Sequence, residues 1–238
     1  MVDVNESYQR WESRLLENKN LKMAVADKVL EMEIISKFDH IFIDCGSTFT
    51  YLSEGIFGDI SRYCPLRLYT TNVDILLRYL SCSNRDLIDF RVVGGRFIPE
   101  HQSLDGSFFN VPRSDSNFFI NTAFIGACPI DSKLNIWGSI TDVVKIKQQL
   151  IYKSKQIVLL CDESKFQNAK MGSRKVGQLV FNKSEGLFFQ IYESDKLVPA
   201  KLIIGINQSI ANDNLRLMLE AMEQNASARN FIILARAK

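Results

Sequence analysis

Five residues, Asp44-Cys45-Gly46-Ser47-Thr48, place a carboxylate, a thiol, a glycine and two hydroxyls directly after the apolar run His40-Ile41-Phe42-Ile43. A short polar turn between a buried strand and a helix is where an α/β protein holds an anion. Glycine lets the backbone approach closely, hydroxyls donate, and the unpaired N–H groups of the first helical turn add a partial positive charge. A phosphate or carboxylate suits such a turn. The same residue types also serve plain turn and cap chemistry, so the pentad alone leaves both readings open. Cys45 raises a second question, because a thiol at a helix N-terminus can have a lowered pKa, although a small loop residue is the simpler account.

The elements around this turn are legible from periodicity. Before it, Tyr8, Trp11 and Leu15, then Leu21, Val25, Val29 and Met32, recur at helical spacing with no Gly or Pro, predicting one long or two short helices. After it, strand, loop and helix alternate. Strands are expected at 66–70, 88–93, 118–125, 156–161, 201–204 and 231–234. Asn72 caps a helix with apolar positions Val73, Leu76, Leu77 and Leu80, Gly94-Gly95 ends a strand, and further helices run from about 141 to 154 and through Leu215, Leu217 and Leu219. Residues 96–117 read as a loop plus a short helix reaching over the site. Residues 166–197 read as a basic loop, with Lys165, Lys170, Arg174 and Lys175 around its start, leading to a hairpin.

Apolar strands alternating with amphipathic helices predict an α/β protein with a three-layer, mainly parallel sheet covered on both faces. An N-terminal helical segment (1–38) precedes an α/β domain (39–238). Ligands of such sheets sit beyond the carboxyl ends of the strands, which places residues 44–48, 70–72, 94–95, 126–131 and 162–165 on one rim.

Composition narrows the function classes. With 238 residues, 46% apolar and 11% aromatic, the chain can bury a sizeable core. Its 29 basic and 27 acidic residues, net +2, make no global field for nucleic acid or an anionic membrane. No apolar run approaches the roughly 18 residues of a membrane span, and the N-terminus lacks a signal-peptide layout, so a cytoplasmic protein is expected. The cysteines Cys45, Cys64, Cys82, Cys128 and Cys161 are odd in number and include no C-x-x-C pair, and two histidines make no case for zinc. No metal and no cofactor are expected.

Taken in order, the rim segments resemble the C-terminal effector domain of the DeoR family of bacterial transcriptional regulators. The matching runs are Ile41 to Thr48 (an apolar strand, then the family's Asp-Ser-Gly-Thr-Thr), Thr70-Thr71-Asn72 and Val92-Val93-Gly94-Gly95. They continue with Ser103 and Gly106, Ala123-Phe124-Ile125-Gly126-Ala127, Lys147, and Asp162-Glu163-Ser164-Lys165-Phe166. The resemblance covers residues 40 to 166 and fades beyond them. Departures are Cys45 for a serine, Cys128-Pro129 near a usual glycine, and Gly205-Ile206-Asn207 where the late strand usually ends in Thr-Asp.

The resemblance implies a sheet of the sugar-phosphate isomerase and coenzyme A transferase type that binds a phosphorylated sugar or related metabolite. In the family, that binding changes the DNA affinity of an N-terminal winged helix. Residues 1–38 are too few for a winged helix and show no helix-turn-helix layout, so DNA contact is expected only through a missing or partner-supplied module. On this reading Asp44, Cys45, Gly46, Ser47 and Thr48 form the phosphate cradle, with Lys147 and Lys165 adding point charges. Asn72, Gly94, Gly95, Gly126 and Asp162 lie toward the sugar, whose hydroxyls Asp44 and Asp162 suit as acceptors. Trp137, expected at a loop tip, either packs or covers a sugar face.

The expected function is a non-enzymatic sensor domain that forms homo-oligomers. Two alternatives stand beside it. An isomerase would need a general base, with Asp44, Asp131 and Asp162 as nominees, but no Gly-rich Lys-containing isomerase motif accompanies them. A structural role would make a helix carrying Trp11, Leu15 and Leu16 an apolar interface for oligomerisation or for a partner.

Overall fold

A computed structural model describes residues 4–107, 118–126, 129–138, 141–182, 184–192, 194–223 and 230–237. The uninterrupted amino-terminal periodicity forms two helices, α1 (Val4–Leu16) and α2 (Lys19–Glu31), parted at Asn18, whose φ of 51° breaks the helical run. The chain continues through β1 (His40–Ile43), α3 (Ser47–Gly58), α4 (Ile60–Tyr63), β2 (Leu66–Thr70), α5 (Val73–Leu80) and β3 (Ile88–Val92). A small ribbon of β4 (Phe97–Ile98) and β5 (Ser103–Leu104) follows, with a 3-10 turn (Pro99–His101) between them. Then come β6 (Ile120–Gly126), β7 (Asn135–Gly138), α6 (Thr141–Tyr152), β8 (Ser154–Asp162), β9 (Arg174–Asn182) and β10 (Gly186–Ile191). β11 (Leu197–Ile206), α7 (Asp213–Glu223) and β12 (Ile232–Arg236) complete the fold.

Ten strands form one sheet in the order β3-β2-β1-β6-β8-β11-β10-β9-β7, with β12 also pairing β11. The pairs from β3 to β11, and β11 with β12, are parallel. β11, β10, β9 and β7 pair antiparallel. The carboxyl ends of β1, β2, β3, β6 and β8 therefore share one rim, as the alternating pattern predicts.

The continuous apolar run of β1 follows from burial on both faces. Ile41 and Ile43 join Val25, Leu52 and Ile56 in one core, while Phe42 points the other way, into a core with Leu150, Leu159 and Phe189. Each such side chain contributes roughly 1.5–3 kcal/mol by leaving water. The α/β fold with a mainly parallel, doubly covered sheet is as expected.

Four local expectations change. Helix α2 buries Val25, Ala26 and Val29 in the same core as β1, so it packs as part of the α/β body. Trp11 is 1% exposed and belongs to the interior, leaving only Leu16 of the expected apolar interface strongly exposed. In α5 the residue buried against the sheet is Ile75, whereas Leu77 and Leu80 are 56% and 50% exposed, because the neighbouring β3 is the sheet edge and nothing among the described residues covers that side. Trp137 lies in β7, paired with β9, where a loop was expected. Ala127, Cys128 and residues 108–117 lie outside the described residues. Among the described residues no helix is long and apolar enough to cross a membrane.

Candidate functional site

The turn after β1 is built around Asp44. Its carboxylate is buried, with Oδ1 accepting from the Cys45 N–H at 2.8 Å and Oδ2 from the Gly126 N–H at 2.9 Å. Those bonds tie the end of β1 to the end of β6. Lys147 Nζ, from α6, stands 2.7 Å from the same Oδ2, the two side chains being 12% and 1% exposed. A buried ion pair persists only where further hydrogen bonds satisfy the remaining lone pairs, and the two backbone donors do so here.

Gly46 follows at φ 150°, ψ 151°, a region that side-chain-bearing residues scarcely enter. That conformation starts α3 at once, with the first bond from Phe49 N–H to the Gly46 carbonyl. The N–H groups of Ser47 and Thr48 precede that bond, at the positive end of a helix.

These residues open on a cavity of about 290 Å³. Its wall includes Cys45, Gly46, Ser47, Thr48, Gly126 and Lys147, then Asp162 and Lys165 from the end of β8. Eight of the twelve expected site residues thus come together. Asp44 sits behind the wall, its oxygens already taken, and acts by positioning Lys147 and the turn.

Three expected residues stand apart from the wall. Asn72 is the N-cap of α5, its Oδ1 accepting from Asp74 N–H and Ile75 N–H at 2.9 and 3.2 Å. Gly94 and Gly95 end β3 and open the β4–β5 ribbon. At Gly95, φ is 152° and a Cβ would come within 2.8 Å of Gly106 N. Asp105 Oδ1 closes this bend by accepting from Arg96 N–H at 3.0 Å and Ser107 N–H at 2.9 Å. Turn chemistry accounts for the two glycines and cap chemistry for Asn72 Oδ1, while Asn72 Nδ2 is buried with no hydrogen-bond partner among the described residues.

The wall also holds residues that no local pattern announced: Arg14, Glu17 and Lys22 from the amino-terminal helices, and His101 from the turn between β4 and β5. Arg14 Nη1 donates to the Glu100 carbonyl at 3.0 Å and meets His101 Nδ1 at 3.1 Å. Lys22 Nζ donates to the Arg14 carbonyl. Only tertiary folding brings these segments to the rim. Trp137 lines the cavity too, its Nε1–H donating to Asp131 Oδ2 at 2.9 Å.

Burial and neighbouring charge set the protonation states. Burial, reinforced by the Asp44 carboxylate, pushes the Cys45 thiol up to about 12, which answers the open question against a lowered thiol. Burial, with Arg14 and Lys147 adding repulsion, holds His101 down at about 4, so the ring is neutral at pH 7. Burial lowers Lys22 to about 8, partly offset by Asp162. Four cationic side chains therefore face the cavity against the carboxylates of Glu17 and Asp162. No group of His, Cys, Asp or Glu among the described residues is arranged to hold a metal.

Of the carboxylates nominated as a general base, Asp44 and Asp131 have both oxygens engaged, while Asp162 Oδ2 has Lys165 Nζ at 3.9 Å. Asp44 accepts from two backbone donors and faces Lys147. Asp131 accepts from Lys133 N–H, Asn135 N–H, the Asn135 amide and Trp137. Burial pushes it up, but those bonds outweigh burial and hold it below the usual carboxylate range. Asp162 Oδ1 accepts from Ser164 N–H at 2.9 Å and from the Ser164 hydroxyl.

Solved structures similar to this chain include ribose 5-phosphate isomerase A from Methanocaldococcus jannaschii, at 11% identity and a TM-score of 0.47, covering 79% of this chain and 96% of that one. The ribose 5-phosphate isomerase of Plasmodium falciparum is similar at 13% identity and a TM-score of 0.46, covering 91% of this chain and 94% of that one. No functional inference follows from likenesses at this distance. Among curated proteins, the glycerol-3-phosphate regulon repressors of Escherichia coli and Shigella flexneri are each 28% identical over 180 residues, or 72% of this chain. This chain spans 65% of their length. The family model described as the DeoR C terminal sensor domain matches residues 17–175, which include the β1–α3 turn, Lys147 and Lys165, and the chain belongs to that family.

Proposed function

We propose that the cavity binds a compact phosphorylated metabolite, a phosphosugar or polyol phosphate, and that the chain is the effector-sensing part of a DeoR-type transcriptional regulator without turnover of its own. One observation carries the reading: the Gly46–Thr48 turn at the amino end of α3 and the cations Arg14, Lys22, Lys147 and Lys165 line a single cavity. N–H groups at a helix start, hydroxyls and cations around one cleft are the donors a phosphate dianion needs. A volume of about 290 Å³ lies at the small end of ligand pockets and favours a metabolite of a few carbons. The engaged states of Asp44 and Asp131 favour sensing over isomerisation at those two positions, since a general base needs a free lone pair near the reacting carbon.

The relatives' name makes glycerol 3-phosphate the first ligand to try. Regulation of DNA would run through a missing or partner-supplied winged helix, in a cytoplasmic homo-oligomer. The test is calorimetry and thermal shift with glycerol 3-phosphate, ribose 5-phosphate and glucosamine 6-phosphate, beside a turnover assay on each. Binding at a hundred times Kd stabilises by about 2.7 kcal/mol and raises Tm. Turnover at ordinary enzyme rates would sink the sensor reading, and so would the absence of binding by any of the three.

A further inference from the structure

Helix α1 buries Trp11 in the interior, and its last turn is tied to the cavity wall. Arg14 supplies two of the ties, to the Glu100 carbonyl and to His101 Nδ1. A third is the bond from Lys22 to the Arg14 carbonyl, and the fourth runs from the Tyr51 hydroxyl on α3 to the Leu15 carbonyl at 2.9 Å. The Arg14 guanidinium carbon also sits 5.6 Å from the centre of the buried Trp11 ring. Because His101 is neutral, its Nδ1 accepts from Arg14 and the ring hydrogen lies on Nε2. Beyond this turn, Asn18 in its left-handed conformation separates α1 from α2, a break of the kind that absorbs hinge motion.

Two features of Arg14 point past a structural role. Arg14 lines the cavity, and both described hydrogen bonds use Nη1, leaving outside them the Nε–Nη2 edge, the kind of planar edge that grips a phosphate in two places. The cations on the wall also outnumber its carboxylates, Glu17 and Asp162. Arg14, Lys22, Lys147 and Lys165 share the wall, and their mutual repulsion falls when a dianion enters.

We propose that Arg14 is a ligand-contact residue that couples occupancy of the cavity to the seating of α1: a bound phosphate grips the Nε–Nη2 edge of the guanidinium and draws the helix more tightly onto the rim. The coupling rests on the phosphometabolite reading above. It gives the site a mechanical output, since the segment whose seating changes is the one leading toward the amino terminus. Ligand and helix then support each other reciprocally, as linkage requires.

Amide hydrogen exchange of residues 4–16, with glycerol 3-phosphate and inorganic phosphate as probes, tests this on the intact chain. In the wild type, a saturating probe is expected to slow exchange across α1 about tenfold. Arg14→Ala is expected to speed α1 exchange without probe, weaken probe binding by tenfold or more, and abolish the slowing. Arg14→Lys keeps the charge, guards against loss of folding, and is expected to recover part of the affinity. Tyr51→Phe loosens α1 without touching the cavity, and should retain the slowing. A probe that binds Arg14→Ala and wild type equally, or that saturates the wild type without slowing α1, overturns the coupling while leaving the ligand reading intact. Failure of both probes to bind the wild type overturns the ligand reading, and the coupling with it.

Discussion

The Asp44–Lys147 pair should hold the β1–α3 turn in place, and its strength can be worked from the structure. Lys147→Met removes a cation 2.7 Å from Asp44 Oδ2 and leaves a carboxylate that is 1% exposed with backbone donors alone. Breaking one side of a buried pair costs about 3–5 kcal/mol, because the surviving charge stays desolvated without its counter-charge. Asp44→Asn takes the counter-charge from Lys147 instead, which keeps the Gly126 carbonyl at 3.5 Å among its partners. The double variant Asp44→Asn, Lys147→Met removes both charges and should recover part of the loss, giving a coupling energy above about 1 kcal/mol. Urea unfolding followed by circular dichroism measures it. At an m-value of about 2–3 kcal/mol per molar, a loss of 3 kcal/mol lowers the midpoint by about 1–1.5 M. Single variants that each cost under about 1 kcal/mol and simply add in the double would refute the claim that this pair anchors the turn.

Three further outcomes are expected. His101 is held at about 4 in the folded protein against about 6.5 unfolded, so the unfolded chain binds more protons between those values and stability rises with pH across that window. Roughly 3 kcal/mol is present above pH 6.5 and is lost as pH falls toward 4; His101→Gln should flatten Tm against pH over that range. Gly46→Ala forces a side chain into a glycine-only conformation at φ 150°, and should cost about 1–3 kcal/mol in thermal unfolding and weaken glycerol 3-phosphate binding in calorimetry. Ser47→Ala with Thr48→Val should weaken that binding by tenfold or more, since each hydrogen bond to a charged group is worth about 1.5–3 kcal/mol, with little change in ligand-free Tm.

The sequence by itself determined what depends on neighbours along the chain. Apolar residues on both faces of 40–43 announced a strand covered on both sides, Asn72 announced a helix cap, and the order of polar segments after apolar strands announced a rim. Gly46 was legible as a turn glycine because no other residue tolerates its backbone conformation. Tertiary structure alone decided which charges meet. Asp44, Gly126 and Lys147 are joined across more than 80 positions, and Arg14 meets His101 across 87, through packing that no local periodicity encodes. It also decided the acidity of Cys45, because burial beside a carboxylate outweighs a helix N-terminus, and it left Leu77 and Leu80 facing outward, because helical spacing says which residues share a face but not whether that face is covered.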